Sequence, residues 1–380
     1  MPGGRMTAHF PRTLLAIVVA MTLSACGGTV APTGGPASVD QTPPPSSTTA
    51  PTPSATIPSS APSAAGTPSP DASGLARNGV IAYNDGAGDI YSLDPATGVT
   101  KLLVGGPNTD VGPDFLPDGR HFTFFRVEEG MAYLANANGT GATSFGRGDW
   151  SPRGDRIAAI SDDGDLTMIE VASGRRDVFT LTKPVGAVRW LTEDVLLLIE
   201  DAEGGGAAAL STINVDGTNQ MTIETPFLCC GTSTIQGRGI VAWTSWDNAT
   251  GATGRIHVLD TASGQDRLLA STDVPGFHFL NPRLSPDGKW LTVTRIQAHV
   301  DGAQLALIAA DGSGKPIGLG PRQPTNSAEI HSAFSPDGTQ LLVTYDDGSA
   351  WLFDLPAGTG EKTDWQGLVE ITWQGVDPTP

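Results

Sequence analysis

The feature that most constrains this chain is a motif that returns seven times after residue 78. Four copies are plain: Pro113-Asp114-Phe115-Leu116-Pro117-Asp118-Gly119, Gly148-Asp149-Trp150-Ser151-Pro152-Arg153-Gly154, Pro282-Arg283-Leu284-Ser285-Pro286-Asp287-Gly288 and Ser332-Ala333-Phe334-Ser335-Pro336-Asp337-Gly338. In each, a large apolar residue precedes a Pro-containing turn, and an apolar, β-rich run follows: HFTFF, RIAAI, WLTVT and LLVTY. Weaker copies are Val188-Arg189-Trp190, Ile235-Gln236-Gly237 and Ile371-Thr372-Trp373. The bulky residues fall at 115, 150, 190, 235, 284, 334 and 373, intervals of 35 to 50 residues. A four-stranded propeller blade takes about 40–45 residues.

The rest of each unit repeats as well. A short Asp/Gly turn such as Asn84-Asp85-Gly86, Asp162-Asp163-Gly164 or Asp346-Asp347-Gly348 leads to a third strand (DIYSLD, LTMIEV, RIHVLD, LALIAA, AWLFDL). A second turn follows with Gly at Gly98, Gly139, Gly174, Gly217, Gly264, Gly312 or Gly358, and then a short fourth strand such as TKLLV. Asp-Gly and Asn-Gly supply the positive φ of tight hairpins, and Pro opens a turn where no ladder donor is needed. No window shows 3.6-residue apolar spacing between caps, so helix is expected to be scarce. A lone four-stranded sheet cannot hide both faces, so the blades must stack. The first unit, from Gly79, opens directly on a second-strand run (VIAYN), while Leu368 to Trp373 forms a first strand with nothing after it. Joined, they complete one blade. The expected fold is therefore all-β: a seven-bladed β-propeller of four-stranded blades, closed by the C-terminal strand pairing with the N-terminal blade.

The Ser-Pro-Asp-Gly segment with its flanking strands resembles the β-propeller repeat of the TolB family, the periplasmic partner of the Tol-Pal system. It is also WD-repeat-like. The resemblance covers residues 79–376. TolB proteins have six blades and a separate N-terminal domain, whereas seven units are counted here and a polar tether stands in that domain's place.

The N-terminus reads as an address. Arg5 and Arg12 precede an apolar run, Leu14 to Leu23, of ten residues. That is the length of a signal-peptide core and too short to span a bilayer, which takes about 20 helical residues. The run ends in Leu23-Ser24-Ala25-Cys26, which resembles the lipobox of bacterial lipoproteins. By that resemblance residues 1–25 are removed, and Cys26 becomes the lipidated first residue. Residues 27–76 hold eleven prolines, no aromatic residue, no Lys or Arg, and only Asp40 and Asp71 as charges. Such a stretch cannot bury enough apolar surface to fold, and at about 3.1 Å per residue it reaches at most on the order of 150 Å. The organisation expected is residues 1–25 signal peptide, 26–77 lipidated Cys and disordered tether, 78–376 propeller and 377–380 tail.

Charge narrows the partners. There are 22 Lys and Arg against 40 Asp and Glu, a net charge of -18, which argues against nucleic acid. Loss of Arg5 and Arg12 leaves 20 basic residues, so an anionic membrane surface repels the mature chain and the lipid must do the attaching. The expected location is extracytoplasmic, lipid-anchored to the cell membrane or outer membrane.

Candidate sites are sparse. Cys229 and Cys230 read as two buried structural cysteines or as a strained adjacent-residue disulfide. His278 and His331 lie just upstream of first strands, which run beside the channel, so a metal or ligand site with Glu329 or Glu370 is conceivable; the alternative is a wet, polar channel wall. The Asp-rich segments read as turns rather than calcium loops. Arg147-Gly148-Asp149 spells an adhesion tripeptide but falls at a strand start. Trp150, Trp190 and Trp373 occupy equivalent positions and read as inter-blade core. An exposed aromatic surface would draw on Trp243, Trp246, Trp290, Trp351 and Trp365. No Gly-x-Ser-x-Gly, His-Glu-x-x-His or P-loop pattern occurs. No catalytic residue, metal ligand or cofactor is assigned. The expected function is a membrane-tethered binding module for a protein or envelope polymer; the alternative is a propeller lyase or glycan hydrolase with a metal or acidic site at the channel mouth.

Overall fold

The computed structural model describes residues 75–376 apart from 147, 162, 202–206, 224–227, 236–237, 246–253, 273–276, 298–299 and 324–329. Among these residues there is no helix, and every strand pairing is antiparallel. Seven four-stranded sheets form a ring of blades, as the repeat requires.

Blade 1 comprises β1 (Arg77–Asn84), β2 (Ile90–Leu93), β3 (Thr100–Val104) and, from the far end of the chain, β28 (Val369–Val376). Blades 2 to 7 are each continuous in sequence, and each opens with its innermost strand. These first strands are β4 (Asp110–Phe115), β8 (Gly148–Trp150), β12 (Val185–Trp190), β16 (Leu228–Ile235), β20 (Phe277–Leu284) and β24 (Ile330–Phe334). Four neighbouring pairs, β28 with β4, β8 with β12, β16 with β20 and β24 with β28, pack directly against one another, which places the first strands around the central axis.

The apolar residues sort by junction. Seven separate core clusters exist, and each draws on two adjacent blades. Period-2 alternation does this: Val343 faces blade 6 while its neighbour Leu342 faces blade 1, and both are fully buried. Trp150, Trp190 and Trp373 are buried in three of these clusters, as their equivalent positions predict. The cluster between blades 7 and 1 is a full member of the set, joining Ala333, Leu342 and Ala350 to Ile81, Leu93, Ile371 and Trp373.

Closure is reinforced by polar contacts. Ile81 pairs with Trp373 and Ala82 with Thr372 across β1 and β28. The Trp373 indole N–H donates to Gly79 O (3.2 Å), and the Val80 N–H donates to Gln374 Oε1 (3.2 Å). The Gln374 amide reaches the next blade at Gly119 O (2.6 Å). On the other side Asn78 Nδ2 donates to Asp337 Oδ2 (2.8 Å) and the Asp337 N–H to Asn78 Oδ1 (3.1 Å). Gly119 sits at φ 63° against the carbonyl of Gly375, where no side chain fits.

The Ser-Pro-Asp-Gly turn explains its own sequence. Ser335 Oγ donates to Asp337 Oδ1 (2.6 Å) and accepts the Gln340 N–H (2.8 Å), while Asp337 Oδ1 also accepts the Thr339 N–H (3.0 Å). Ser285, Asp287, Lys289 and Trp290 repeat the arrangement. In blade 3 the partner of Ser151 is Asp155, two residues later in the turn, which accounts for Arg153 where the others carry Asp.

Truncation after Gln366 removes β28. A buried Trp is worth ~3–5 kcal/mol by itself, and the loss leaves two open sheet edges. Thermal unfolding should show a large drop in melting temperature, against little change on deleting residues 30–70; equal melting temperatures would refute ring closure.

Candidate functional site

The lumen is built from one position in each blade, the residue immediately before the bulky core residue of the first strand. By register these residues pair with Ala82, Thr123, Ala158, Leu197, Ala242, Thr292 and Leu342. They are Thr372, Asp114, Asp149, Arg189, Ser233, Arg283 and Ala333 in blades 1 to 7. In blade 5 the repeat spacing points to Ile235 as the core residue. Register instead sets Thr234 opposite Val241, the place that Leu341 and Leu291 occupy elsewhere. The lumen residue there is thus Ser233.

A bulge aims four of these side chains. Gly112, Gly231, Asn281 and Glu370 have positive φ (62°, 119°, 50° and 47°), and each lies two residues before Asp114, Ser233, Arg283 or Thr372. The extra residue bends the strand and raises its twist next to the axis. Neighbouring bulges lean on each other. The Gly112 N–H donates to Glu370 Oε2 (2.7 Å), and a side chain at Gly231 would press on Pro282.

Three lumen residues, on blades 1, 3 and 5, clip the next blade by accepting a hydrogen bond from it. Asp149 Oδ2 accepts the Trp190 N–H (2.7 Å), Ser233 Oγ accepts the Leu284 N–H (3.1 Å), and Thr372 Oγ1 accepts the Phe115 N–H (3.4 Å). Thr372 also donates to Asp114 Oδ1 (3.2 Å). The Trp190 indole adds a bond to Asp149 O (2.9 Å). Arg189, Arg283 and Ala333 cannot accept, so their junctions lack the clip.

The lumen charges divide by side. Asp114 and Asp149 stand on adjacent blades 2 and 3, with Arg189 on the next blade and Arg283 on blade 6. Asp114 touches water yet is surrounded by protein, as a channel-wall side chain must be. Burial pushes its pKa up, opposed first by Arg283, then by the Thr372 hydroxyl and Arg189. Arg283 lies on blade 6 and Asp114 on blade 2, so this attraction acts across the axis. Burial likewise raises Asp149, against the pull of Arg189 and the Trp190 N–H, while repulsion from Asp114 adds to the rise.

The residues singled out from sequence fare differently. His278 and His331 lie within the first strands β20 and β24 rather than upstream of them; both are half-buried, and burial lowers the His278 pKa. Glu370 braces the bulge. Among the described residues no three His, Cys, Asp or Glu side chains converge as metal ligands. Glu329, His299 and Arg147 lie outside the described residues. Cys229 and Cys230 belong to β16 at its bulge, Cys229 pairing with Thr244, and their side chains are likewise outside. Gly164 and Gly348 occupy positive-φ turns, as read.

Of the irregular tryptophans on which an exposed aromatic surface would draw, the described ones take part in core packing. Trp243 is fully buried and stacks on His257, and Trp290, Trp351 and Trp365 pack against core clusters; Trp246 lies outside the described residues. The site residues that sequence reasoning missed are Asp114, Asp149, Arg189 and Arg283. Their signal was in plain view, since each directly precedes a repeat's bulky residue.

Asp149→Ala strands the Trp190 N–H and should cost about 1–3 kcal/mol in urea unfolding, most of it restored in Asp149→Asn, which keeps an acceptor. Asp114 predicts a pH effect of definite sign. Its folded pKa is raised, so the folded state binds more protons than the unfolded chain between the ordinary carboxylate value and the raised one. Stability contributed by this group is full below that window and falls as pH rises through it. Asp114→Asn should flatten this slope in unfolding experiments across mildly acidic pH.

No protein-family model matches the chain. The uncharacterized protein Atu1656 of Agrobacterium fabrum is 34% identical over 87 residues, which make up 20% of this chain and 30% of that protein. Among solved structures, an oligogalacturonate lyase in complex with manganese superposes with a TM-score of 0.53 at 16% identity, over 77% of this chain and 86% of its own. The oligogalacturonate lyase of Vibrio parahaemolyticus gives 0.52 at 14% identity, over 76% and 86%. TolB from Acinetobacter baumannii fits more loosely, at 0.47 and 15% identity over 78% and 66%. What these likenesses share with the chain is architecture, and the chain is a seven-bladed β-propeller.

Proposed function

We propose that this protein is a lipid-anchored, extracytoplasmic propeller that works as a binding module for a protein or envelope polymer. The observation that carries the reading is the lumen, where four charged side chains, Asp114, Asp149, Arg189 and Arg283, stand on first strands, with Thr372, Asp149 and Ser233 hydrogen-bonded to the neighbouring blade. Preorganised polar groups on a stiff scaffold recognise a ligand without the cost of ordering a loop. The address read from the sequence supplies the rest. An apolar signal core ending in Leu23-Ser24-Ala25-Cys26 leads to acylation of Cys26, and the Pro/Ser/Thr-rich stretch gives the propeller reach. With 20 basic against 40 acidic residues after cleavage, attachment rests on the acyl chains.

A second reading, a lyase or glycan hydrolase, is favoured by one observation, the likeness to two oligogalacturonate lyases, and that likeness extends to fold alone.

Cell fractionation tests the anchor: Cys26→Ala should move the protein from the membrane fraction to the soluble one, and retention would count against lipidation. Incubating the purified protein with isolated envelope polymer tests the module. Stoichiometric, saturable co-sedimentation with the polymer left intact supports binding, whereas steady release of new sugar ends supports the lyase or hydrolase.

A further inference from the structure

Hydrogen-bonding capacity around the lumen is unevenly spent. On blades 1 to 3 the acceptors are engaged: Thr372 holds the Phe115 N–H, Asp114 takes the Thr372 hydroxyl, and Asp149 takes the Trp190 N–H. On blades 4 to 6 the donors are largely unspent. A guanidinium carries five N–H groups. Arg189 uses one, to Val188 O (3.0 Å), and Arg283 forms no hydrogen bond or ion pair among the described residues. Between them Ser233 Oγ accepts the Leu284 N–H, which leaves its own proton to donate. Three donors on three consecutive blades therefore form an arc, two of them charged. Register places all three at the same first-strand position on successive blades, and both arginines act on Asp114 from different blades.

We propose that the arc Arg189, Ser233, Arg283 is a binding site for a small oxyanion group, a carboxylate or a phosphate- or sulfate-like tetrahedral anion. Planar guanidinium forks bind such oxygens bidentately, and a channel wall screens them less than an open surface does. Asp114 and Asp149, on the two blades before the arc, set the selectivity. They repel an anion that strays from the arc, and an incoming anion favours the protonated form of Asp114, which also faces Arg283, Arg189 and Thr372, with Asp149 beside it. Of the nearby charges, Glu370 is held on the Gly112 N–H. The site depends neither on the Cys26 anchor nor on the partner proposed above.

The purified full chain in detergent is titrated calorimetrically with sodium sulfate and, separately, with malonate at constant ionic strength. Saturable binding of at least one is expected, and which one binds tells a tetrahedral anion from a carboxylate. Arg189→Gln and Arg283→Gln should each weaken it about tenfold or more, the worth of one charged hydrogen-bonded pair. Asp114→Asn should tighten it. Arg153→Gln, an exposed arginine whose partner is Glu193 at 3.6 Å, should leave it unchanged. Among the described residues Arg283 holds no hydrogen bond; should its Gln variant nevertheless fail to fold, Arg283→Lys, which keeps the charge but loses the fork, must still weaken binding. No saturable binding of either anion, or binding that survives both arginine substitutions, overturns the proposal.

Discussion

Everything in this molecule depends on the ladder between the first and last strands of the folded chain. Six blades are local in sequence and could stack as an open array. The seventh is assembled from residues nearly 300 positions apart, as the Val80–Gln374 contact shows. A ring has no terminal blade, so no junction needs a capping surface and no inner strand is left bare. That is why the cluster between blades 7 and 1 has the composition of the other six. The cost is entropic, since closure must bring the two ends together, but loop-closure entropy grows only logarithmically with length. A full inter-blade core exceeds it comfortably.

Closure also fixes what the first strands can do. Near the axis they are too close for large side chains on both faces, and the chain meets this with bulges two residues ahead of the lumen position. Glu370 and Asn281 hold a left-handed backbone without being glycine, which costs energy. Glu370 recovers part of it through the Gly112 N–H. The strain is spent on aiming Thr372, Asp114, Ser233 and Arg283 at the axis.

The fold was legible because its signal is periodic and redundant. Seven copies of a bulky residue, turn and β-run tolerate a poor copy, and blade 5 is the poor copy. There Ile235 looked like the core residue, but it pairs with Ile240 while Thr234 takes the core register opposite Val241, and only the register reveals this one-place difference. A one-residue slip is invisible to spacing when Thr234 and Ile235 are both β-formers. The site was less legible for a different reason. Asp149 and Arg189 carry no local motif, since the ring is assembled from single residues of separate blades, and the Asp that completes an adhesion-like tripeptide proves to be a blade clip. Trp243, outside the repeat position, is buried at a second-strand position that blades 6 and 7 fill with Val293 and Val343 and blade 2 with Phe124. The anchor at Cys26 is read from the sequence alone.

The distribution of clips explains how arginines came to face the lumen. The junctions after blades 1, 3 and 5 use the lumen residue as an acceptor, and those after blades 4, 6 and 7 have surrendered it. Each of these three has a substitute elsewhere. Between blades 4 and 5 the Gly239 N–H donates to Leu191 O (3.1 Å), so the outer turn does the joining. Between blades 6 and 7 Thr292 and Ser332 meet through their hydroxyls (3.3 Å) beside a cluster that includes Phe334, Tyr345 and Phe353. Between blades 7 and 1 the paired Asn78 and Asp337 contacts close the ring. A position freed from holding two blades together can carry a side chain chosen for another task. Two of the three freed positions carry guanidinium groups, and only the third, Ala333, is filled for packing. The inter-blade clips thus fall on alternate blades 1, 3 and 5 of one ring of equivalent residues, and both arginines stand where the neighbouring blade is secured by other means.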